Sequence, residues 1–178
     1  MRVQAVKKQI FNPVIKTERL CLRMFEARDL DAAYKLFNDQ DVQKFLSPKN
    51  KRTRRQLEIL LKNVVGYWSD KGFGLWCVTE KHIGEMIGYC GFQQFDKTEN
   101  VEIVFGFLKE YWGRGFATEA ASACLIFGFE KLSFKKIFAA TNPENVASIR
   151  VLEKTKMTFV KKEFHYEMET VIYSISKD

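Results

Sequence analysis

The sequence has few of the residues that build metal centres and disulfide frameworks. Its four cysteines, Cys21, Cys77, Cys90 and Cys124, are far apart and never form a C-x-x-C pair, and there are only 2 histidines. Structural metal sites use closely spaced cysteine and histidine ligands, so we expect neither a metal nor a disulfide. The cysteines have apolar neighbours, which favours buried, reduced thiols and a cytoplasmic protein.

Long apolar runs are also missing. Residues 1–16 mix single apolar residues with Lys and Arg and lack the continuous apolar stretch of a secretory signal. The run from Ala123 to Phe129 contains Gly128 and is far shorter than the ~20 residues of a membrane-spanning helix. We therefore expect no export and no membrane association.

Aromatic and basic residues are plentiful. The chain of 178 residues contains 16 Phe, 6 Tyr and 3 Trp, is 46% hydrophobic and carries a formal net charge of +7. Its length and composition predict a single globular domain. The positive charge favours anionic ligands and partners but does not determine the fold.

Hydrophobic periodicity predicts a regular succession of strands and helices. A strand with alternating apolar residues near 17–25 precedes a helix that Asp29 can cap and whose apolar band is Leu30, Ala33, Tyr34 and Phe37. The later predicted elements are a helix at 54–69 ended by Gly72, strands at 75–79, 86–95 and 101–108, a helix at 117–132, a strand at 136–141, a helix at 145–154, and strands near 159–164 and 170–175. The three middle strands resemble an antiparallel meander, and the whole order predicts an α/β or α+β fold with a mixed sheet.

The most informative segment is Tyr111-Trp-Gly-Arg-Gly-Phe-Ala-Thr-Glu119, which joins a predicted strand to a predicted helix. Gly113 and Gly115 permit positive φ and close approach to a ligand, and the following helix offers unpaired N–H groups. Together these features predict a phosphate site, although a simple turn explains Gly-x-Gly equally well. The sequence lacks the Gly-Lys-Ser/Thr of a P-loop and the third glycine of a Rossmann fingerprint, which argues against both motifs.

The segment from Glu102 to Ala120 resembles the coenzyme A motif Q/R-x-x-G-x-G/A of the GNAT N-acetyltransferase superfamily, in the form found in its Rim-type branch. The motif positions fall on Trp112 to Ala117, with Trp112 in place of Gln or Arg. The segment Asn142 to Lys154 resembles the second coenzyme-binding element, N-x-A-S-x-x-V-L-E-K. The resemblance covers all but residues 1–16, and it implies one domain over 1–178 with a central mixed, mostly antiparallel sheet flanked by helices.

The resemblance further implies transfer of an acetyl group from acetyl-coenzyme A to a primary amine by direct attack, without a metal. A backbone N–H near Phe105 would bond the thioester oxygen, and Asn145 would cap a helix and also bond the pantetheine arm. The residues implied to bind the cofactor are Phe105, Gly106, Phe107, Trp112, Gly113, Arg114, Gly115, Phe116, Ala117, Thr118, Asn142, Asn145 and Ser148.

Two residues are candidates for acid–base catalysis. Glu102 is the candidate general base, and the alternative is an exposed carboxylate paired with a lysine. Many GNAT enzymes protonate the thiolate with a Tyr where this chain has Leu152, so the acid must differ or be water. The resemblance to Rim-type relatives, in which the Ser of N-x-A-S is the usual candidate, implies this role for Ser148, with helix packing or capping as its alternative. Lys156 replaces a glycine that usually ends this helix, which costs a favourable C-cap. Glu119, in a first helical turn, is expected to be structural.

Several questions about partners stay open at this stage. The segment Lys49–Arg55 places five cations in seven residues, either as a solvated face or as a docking site for an acidic substrate or RNA. The acceptor is a ribosomal-protein amino terminus or a small amine, and the protein is a monomer or a homodimer. Two alternative functions are a coenzyme A-binding module without catalysis and a basic RNA-binding protein, although the sequence has no RRM or KH signature.

Overall fold

The structure is a computed structural model that describes residues 12–45 and 51–177. Its strands are β1 (Ile15–Lys16), β2 (Leu20–Arg23), β3 (Leu75–Glu80), β4 (Met86–Gln94), β5 (Val101–Phe107), β6 (Lys136–Thr141), β7 (Thr158–His165) and β8 (Met168–Ser176). Its helices are α1 (Leu30–Asn38), α2 (Gln40–Gln43), α3 (Arg54–Lys71), α4 (Phe116–Glu130) and α5 (Val146–Lys154). Every predicted element is present, and within the described ranges the elements that were not predicted are the short β1 and α2 and two 3-10 turns.

The strands form one mixed sheet in the order β1-β2-β3-β4-β5-β6-β8-β7. The predicted meander of β3, β4 and β5 is confirmed as antiparallel. Strands β5 and β6 are parallel and pair at a single position, Glu102 opposite Phe138. Beyond Glu102, therefore, the two central strands are not paired, and the sheet has an opening in its middle.

Helices cover both faces of this sheet. Trp76 and Val78 of β3 belong to the large core under α4 and α5, whereas Cys77 between them packs with Ala33 of α1 and Leu61 of α3. This assignment follows from the alternation of side chains along a strand. Helix α4 lies so close to the sheet at Gly128 that a Cβ atom there would be only 2.8 Å from the Phe92 ring.

The helix α1 differs from its prediction in two details. Tyr34, predicted in the apolar band, is 38% exposed, and Leu36 takes the buried position instead. Asp29 precedes the helix but makes no side-chain hydrogen bond to it. Its carboxylate instead accepts from the Glu26 N–H at 2.8 Å and pairs with Arg23 at 2.7 Å, because this buried acid lies beside a guanidinium.

The ends of α3 follow the sequence rules. Thr53 and Gln56 form a reciprocal capping box at its beginning. Gly72 ends it with φ +77°, a left-handed conformation that glycine adopts without steric cost. Helix α3 therefore has well-defined ends between α2 and β3.

Strand β7 forms one edge of the sheet, and almost all of its residues are exposed. Phe159, Val160 and Phe164 are large apolar side chains among them, interspersed with Lys161 and Lys162.

The cysteines are mostly in the interior. Cys77, Cys90 and Cys124 are buried as predicted, Cys21 is partly buried, and all four are free thiols. Within the described ranges, no helix is long and apolar enough to cross a membrane.

Candidate active site

The loop between β5 and α4 has the backbone conformation that its glycines predict. Gly113 and Gly115 have φ values of +72° and +81°, and Gly115 is the N-cap of α4. Helix geometry leaves the N–H groups of the first turn, at Phe116, Ala117 and Thr118, without acceptors inside the helix. The positive end of the 15-residue helix and these N–H groups could hold a pyrophosphate.

Trp112 supports this loop without carrying a charge. Its indole N–H donates to the Phe107 carbonyl at 2.7 Å, which fixes the loop to the end of β5. Arg114 is exposed, with its guanidinium over the rings of Tyr111 and Phe116 at 5.3 and 4.8 Å. Its guanidinium also lies 3.6 Å from the Glu80 carboxylate, so Arg114 is a cation at the rim of the loop that already has an acidic partner.

Glu119 connects the same loop to the segment before β2. It accepts hydrogen bonds from the Thr17 hydroxyl at 2.6 Å and from the Arg19 backbone and side chain at 2.9 and 2.7 Å. Burial opposes ionisation of the carboxyl, but these bonds outweigh it and hold the pKa of Glu119 below its usual range. Arg19 also donates to the Arg114 carbonyl at 2.9 Å, so the expected structural role of Glu119 extends to the loop.

Hydrogen bonding along β5 determines which groups face the central opening. The Leu108 N–H donates to the Ile87 carbonyl on the β4 side at 2.9 Å. In an antiparallel ladder every second residue bonds the same neighbour, so the alternate residues Phe105 and Phe107 direct their backbone groups away from β4. The Phe105 N–H therefore points to the side where β5 and β6 are not paired.

Glu102 lies at the single point where β5 and β6 meet. Its side chain is only 1% exposed, so the alternative of an exposed carboxylate paired with lysine is wrong. The Oε1 atom accepts from the Gln93 side-chain amide at 2.8 Å and from the Tyr166 hydroxyl. Burial raises the pKa of Glu102 to about 7, although both hydrogen bonds act in the opposite direction.

Tyr166 was missed by the sequence reasoning. It lies in the two-residue turn of the β7–β8 hairpin, where His165 pairs with Met168. Its hydroxyl accepts a hydrogen bond from the Asp96 N–H at 2.7 Å, and a His165 ring nitrogen lies 2.9 Å from the Asp96 carboxylate. The carboxylate of Asp96 raises the pKa of His165. The hairpin tip thus contacts both Glu102 and the loop after β4.

The turn at Tyr166 has an unusual sequence for its conformation. Tyr166 and Glu167 have φ values of +52° and +61°, the combination that Asn-Gly usually supplies in such turns. A left-handed conformation costs a residue with a side chain about 1–2 kcal/mol. The sequence carries no signal for this position, because the predicted strands near 159–164 and 170–175 leave a longer gap and the two-residue turn is known only from the structure.

Helix α5 begins with the predicted cap at Asn145. The Asn145 side chain accepts from the Ser148 N–H at 3.0 Å and caps α5, and Asn142 accepts from the Glu144 N–H at 2.8 Å. Ser148 is partly exposed, but no hydrogen bond joins its side chain to Glu102. Leu152 is buried in the core, so it provides no acid at the position of the usual Tyr.

The turn at the end of α5 has a lysine, Lys156, at the position where relatives usually have a glycine. Lys156 has φ +64°, so this position requires the left-handed conformation in which a glycine would be unstrained. Its N–H donates to the Glu153 carbonyl at 2.9 Å, and the Met157 N–H donates to the Leu152 carbonyl at 3.0 Å. The turn therefore keeps its hydrogen bonds, with a strained lysine in place of a glycine.

Comparison with known proteins identifies the family to which this geometry belongs. Residues 19–158 match the sequence profile of the acetyltransferase (GNAT) domain. The chain belongs to the GNAT family. Its sheet with an opening between β5 and β6, flanked by helices, is the mixed α/β GNAT fold expected from the sequence. As a member of this family of acetyltransferases, the protein is an acyltransferase, which disfavours both alternative functions considered above.

Similar GNAT proteins are found among sequences and structures. The uncharacterized protein YkkB of Bacillus subtilis (strain 168) is 41% identical over 150 residues, which are 82% of this chain and 85% of YkkB. The GNAT acetyltransferase structure from Bacillus anthracis is 29% identical, with a TM-score of 0.78 over 92% of this chain and 98% of that one. RimL, a ribosomal L7/L12 α-N-protein acetyltransferase solved with coenzyme A, has a TM-score of 0.79 over 92% and 98% of the two chains. At 15% identity, RimL shows a shared fold with the Rim-type branch.

The basic segment Lys49–Arg55 of this GNAT chain is described only in part, because Lys49 and Asn50 lie outside the described residues. Arg54 forms an ion pair with Asp31 of α1. The Arg52 guanidinium lies 5.9 Å from the Phe37 ring centroid. Two of the described cations therefore contact α1, and Lys51, Arg54 and Arg55 are exposed, so a solvated face and a docking site both remain predictions.

Proposed function

We propose that this GNAT protein transfers the acetyl group of acetyl-coenzyme A to a primary amine, either a protein N-terminal α-amine or a small amine of similar basicity. The observation that carries the proposal is Glu102, a buried carboxyl with a pKa of about 7 beside the opening between β5 and β6. A general base works best when its pKa is close to the working pH. Few carboxyl groups meet this condition, because an ordinary Glu has a pKa of about 4.3.

The residues around the opening fit acetyl-coenzyme A, which supplies an activated thioester carbonyl when bound. The backbone of Trp112 to Thr118, with Gly113 and Gly115 in left-handed conformations, would receive the pyrophosphate. The Phe105 N–H, directed into the opening, would hold the thioester oxygen. Along the same strand, Gly106 and Phe107 would border the acyl group. On the other side, Asn142, Asn145 and Ser148 would face the pantetheine arm.

The pKa of Glu102 also favours one class of amine. An α-ammonium group has a pKa of about 7.8, so moving its proton to a carboxylate of pKa about 7 costs about 1 kcal/mol. For a lysine side chain with a pKa of about 10.4, the same step costs about 5 kcal/mol. We therefore expect α-amines to react faster than lysine side chains.

Ser148 is the proposed acid for the departing thiolate. It lies in the first turn of α5, and the buried Leu152 one turn later cannot donate a proton. Replacing Ser148 by alanine keeps the Asn145 cap, because the cap uses the backbone N–H of residue 148. A fall in kcat with unchanged binding of acetyl-coenzyme A would support the role, and an unchanged kcat would exclude it.

The test of the function is a thiol-release assay with acetyl-coenzyme A and two matched peptides. One peptide has a free α-amine and no lysine, and the other has a blocked amino terminus and one lysine. We expect thiol release with the first, and a loss of about a hundredfold in kcat/KM for Glu102→Gln. The matched control is Glu58→Gln on exposed α3, which should retain wild-type activity. The proposal would be refuted if the protein binds coenzyme A but releases no thiol from acetyl-coenzyme A with any peptide, polyamine or aminoglycoside tested.

A further inference from the structure

We infer that Tyr166 is a positioning residue that holds the Glu102 carboxylate by Oε1 and leaves Oε2 as the atom that accepts the proton of the amine. The inference rests on the proposed function, because it deepens the role of the same base. Tyr166 lies 64 residues away in sequence, on the hairpin at the far side of the sheet opening. Nothing in the two coenzyme-binding motifs includes it.

The two carboxylate oxygens of Glu102 have different surroundings. Both donors, the Gln93 amide and the Tyr166 hydroxyl, bond Oε1. Oε2 is buried, yet it has no hydrogen-bond partner among the described residues. A buried acceptor without a partner is unfavourable, and an oxygen that already accepts two hydrogen bonds is less basic than one that accepts none. Oε2 is therefore the oxygen left for a proton from the amine, directly or through a water molecule.

The hydrogen-bond partners of Tyr166 fix the direction of its own proton. The Asp96 backbone N–H donates to the Tyr166 hydroxyl oxygen at 2.7 Å. A backbone N–H can only donate, so the single phenolic proton has Glu102 as its partner. The hydroxyl thus cannot rotate away without losing its bond to the carboxylate. This arrangement gives Glu102 one orientation rather than several.

The backbone conformation indicates that Tyr166 is not present for the sake of the turn, because its conformation is unfavourable for a residue with a side chain. Both residues of the hairpin turn, Tyr166 and Glu167, have positive φ values, and so does Asp96 at φ +45° in the loop that Tyr166 contacts. Residues with side chains in such conformations occur where the surrounding structure requires them, often at active sites. Here the two strained segments meet at the hydroxyl that bonds Glu102.

Other charged groups around Glu102 must be considered in any pH experiment. Those that act on it are Asp96 in the loop after β4 and His165 in the hairpin. His165 lies between Asp96 and Glu163, at 2.9 and 2.7 Å, with its ring 4.7 Å from that of Phe95. Because His165 titrates as well, the effect of Tyr166 is defined by the difference between variants and not by one profile.

The first experiment measures the pKa of Glu102 directly, without any substrate. The carboxyl 13C resonances of 13C-glutamate-labelled protein are titrated in the wild type and in Tyr166→Phe, with Glu102→Gln for assignment. Loss of the donor should raise the pKa of Glu102 by about half a unit or more. Tyr34→Phe is the matched control, because Tyr34 lies on α1 with an exposed ring, and it should leave the titration unchanged. An unchanged pKa in folded Tyr166→Phe would overturn the inference.

The second experiment follows activity. With the α-amine peptide, Tyr166→Phe should lower kcat about tenfold near pH 7 and move the acidic limb of the kcat/KM profile to higher pH. The KM for acetyl-coenzyme A should change less than about twofold, because Tyr166 lies outside the cofactor loop. A profile that keeps its acidic limb would overturn the inference. If the wild type acetylates no amine, the proposed function fails, while the 13C titration still decides whether the bond to Glu102 exists.

Discussion

Replacing Glu102 by glutamine should make the protein more stable at alkaline pH while it removes the proposed general base. The substitution keeps the shape of the side chain, and the amide oxygen can still accept from Gln93 and Tyr166 at the position of Oε1. What disappears is the buried negative charge. The substitution should therefore increase the free energy of unfolding and decrease the activity.

The expected size follows from the shifted pKa. The carboxyl has a pKa of about 7 in the folded protein, against an ordinary value of 4.5 in the unfolded chain. Since the folded state resists ionisation, the neutral form stabilises the protein at low pH, and this stability is lost as the pH rises from 4.5 through 7. Linkage gives a loss of about 1 kcal/mol at pH 5 and about 3 kcal/mol at pH 8. The glutamine variant should gain about 2 kcal/mol relative to the wild type between these two values.

Urea unfolding of the ligand-free protein at pH 5, 6, 7 and 8 measures this difference. Glu58→Gln, on the exposed face of α3, controls for the loss of one negative charge and should run parallel to the wild type. The reasoning is refuted if Glu102→Gln also runs parallel to the wild type over this range. Such a result would mean that the carboxyl ionises in the folded protein as easily as in the unfolded chain.

Three other substitutions test the frame of the site. Gly115→Ala places a side chain at φ +81°, at a cost of about 1–2 kcal/mol, and should raise the Kd for acetyl-coenzyme A about tenfold in calorimetry; an unchanged Kd would contradict the role of the loop. Lys156→Gly should increase the free energy of unfolding by about 1 kcal/mol in urea, whereas Lys154→Gly, inside α5, should decrease it by a similar amount. Glu119→Gln should destabilise the protein by about 1–2 kcal/mol at pH 7. Because the pKa of Glu119 is lowered on folding, that difference should shrink as the pH falls below the ordinary carboxyl range, and a constant difference would contradict the account.

Most of the helices and strands could be predicted, because local sequence rules and tertiary packing favour the same conformation in these segments. The apolar period and Gly72 predicted α3, and the glycine loop before residue 117 predicted the beginning of α4, which Gly115 caps in the structure. The cap at Asn145 was predicted for the same reason, since an amide at that position satisfies a backbone N–H wherever the helix packs. Asp29 shows the limit of such rules, because its tertiary partner Arg23 competes for the carboxylate that was expected to cap α1.

The arrangement around Glu102 could not be predicted in the same way. Glu102 occupies a strand position that alternation assigns to one face, but alternation cannot say that the hairpin tip covers that face. The contact depends on a turn whose sequence, Tyr166-Glu167, conflicts with the usual preference for Asn-Gly. Pattern reasoning treats such a position as an ordinary strand end. The conflict is visible only when the backbone conformation is known.

The exposed edge strand β7 has a consequence for any attempt to purify or evolve this protein. An unpaired edge that carries Phe159, Val160 and Phe164 can pair with the same edge of another molecule, and lysines on edge strands oppose such association. Lys161 and Lys162 are therefore gatekeepers, and replacing both with uncharged residues should promote aggregation even if the fold is unchanged. The same strand leads into the turn that carries Tyr166, so a change in the pairing of this edge would also act on the contact between Tyr166 and Glu102.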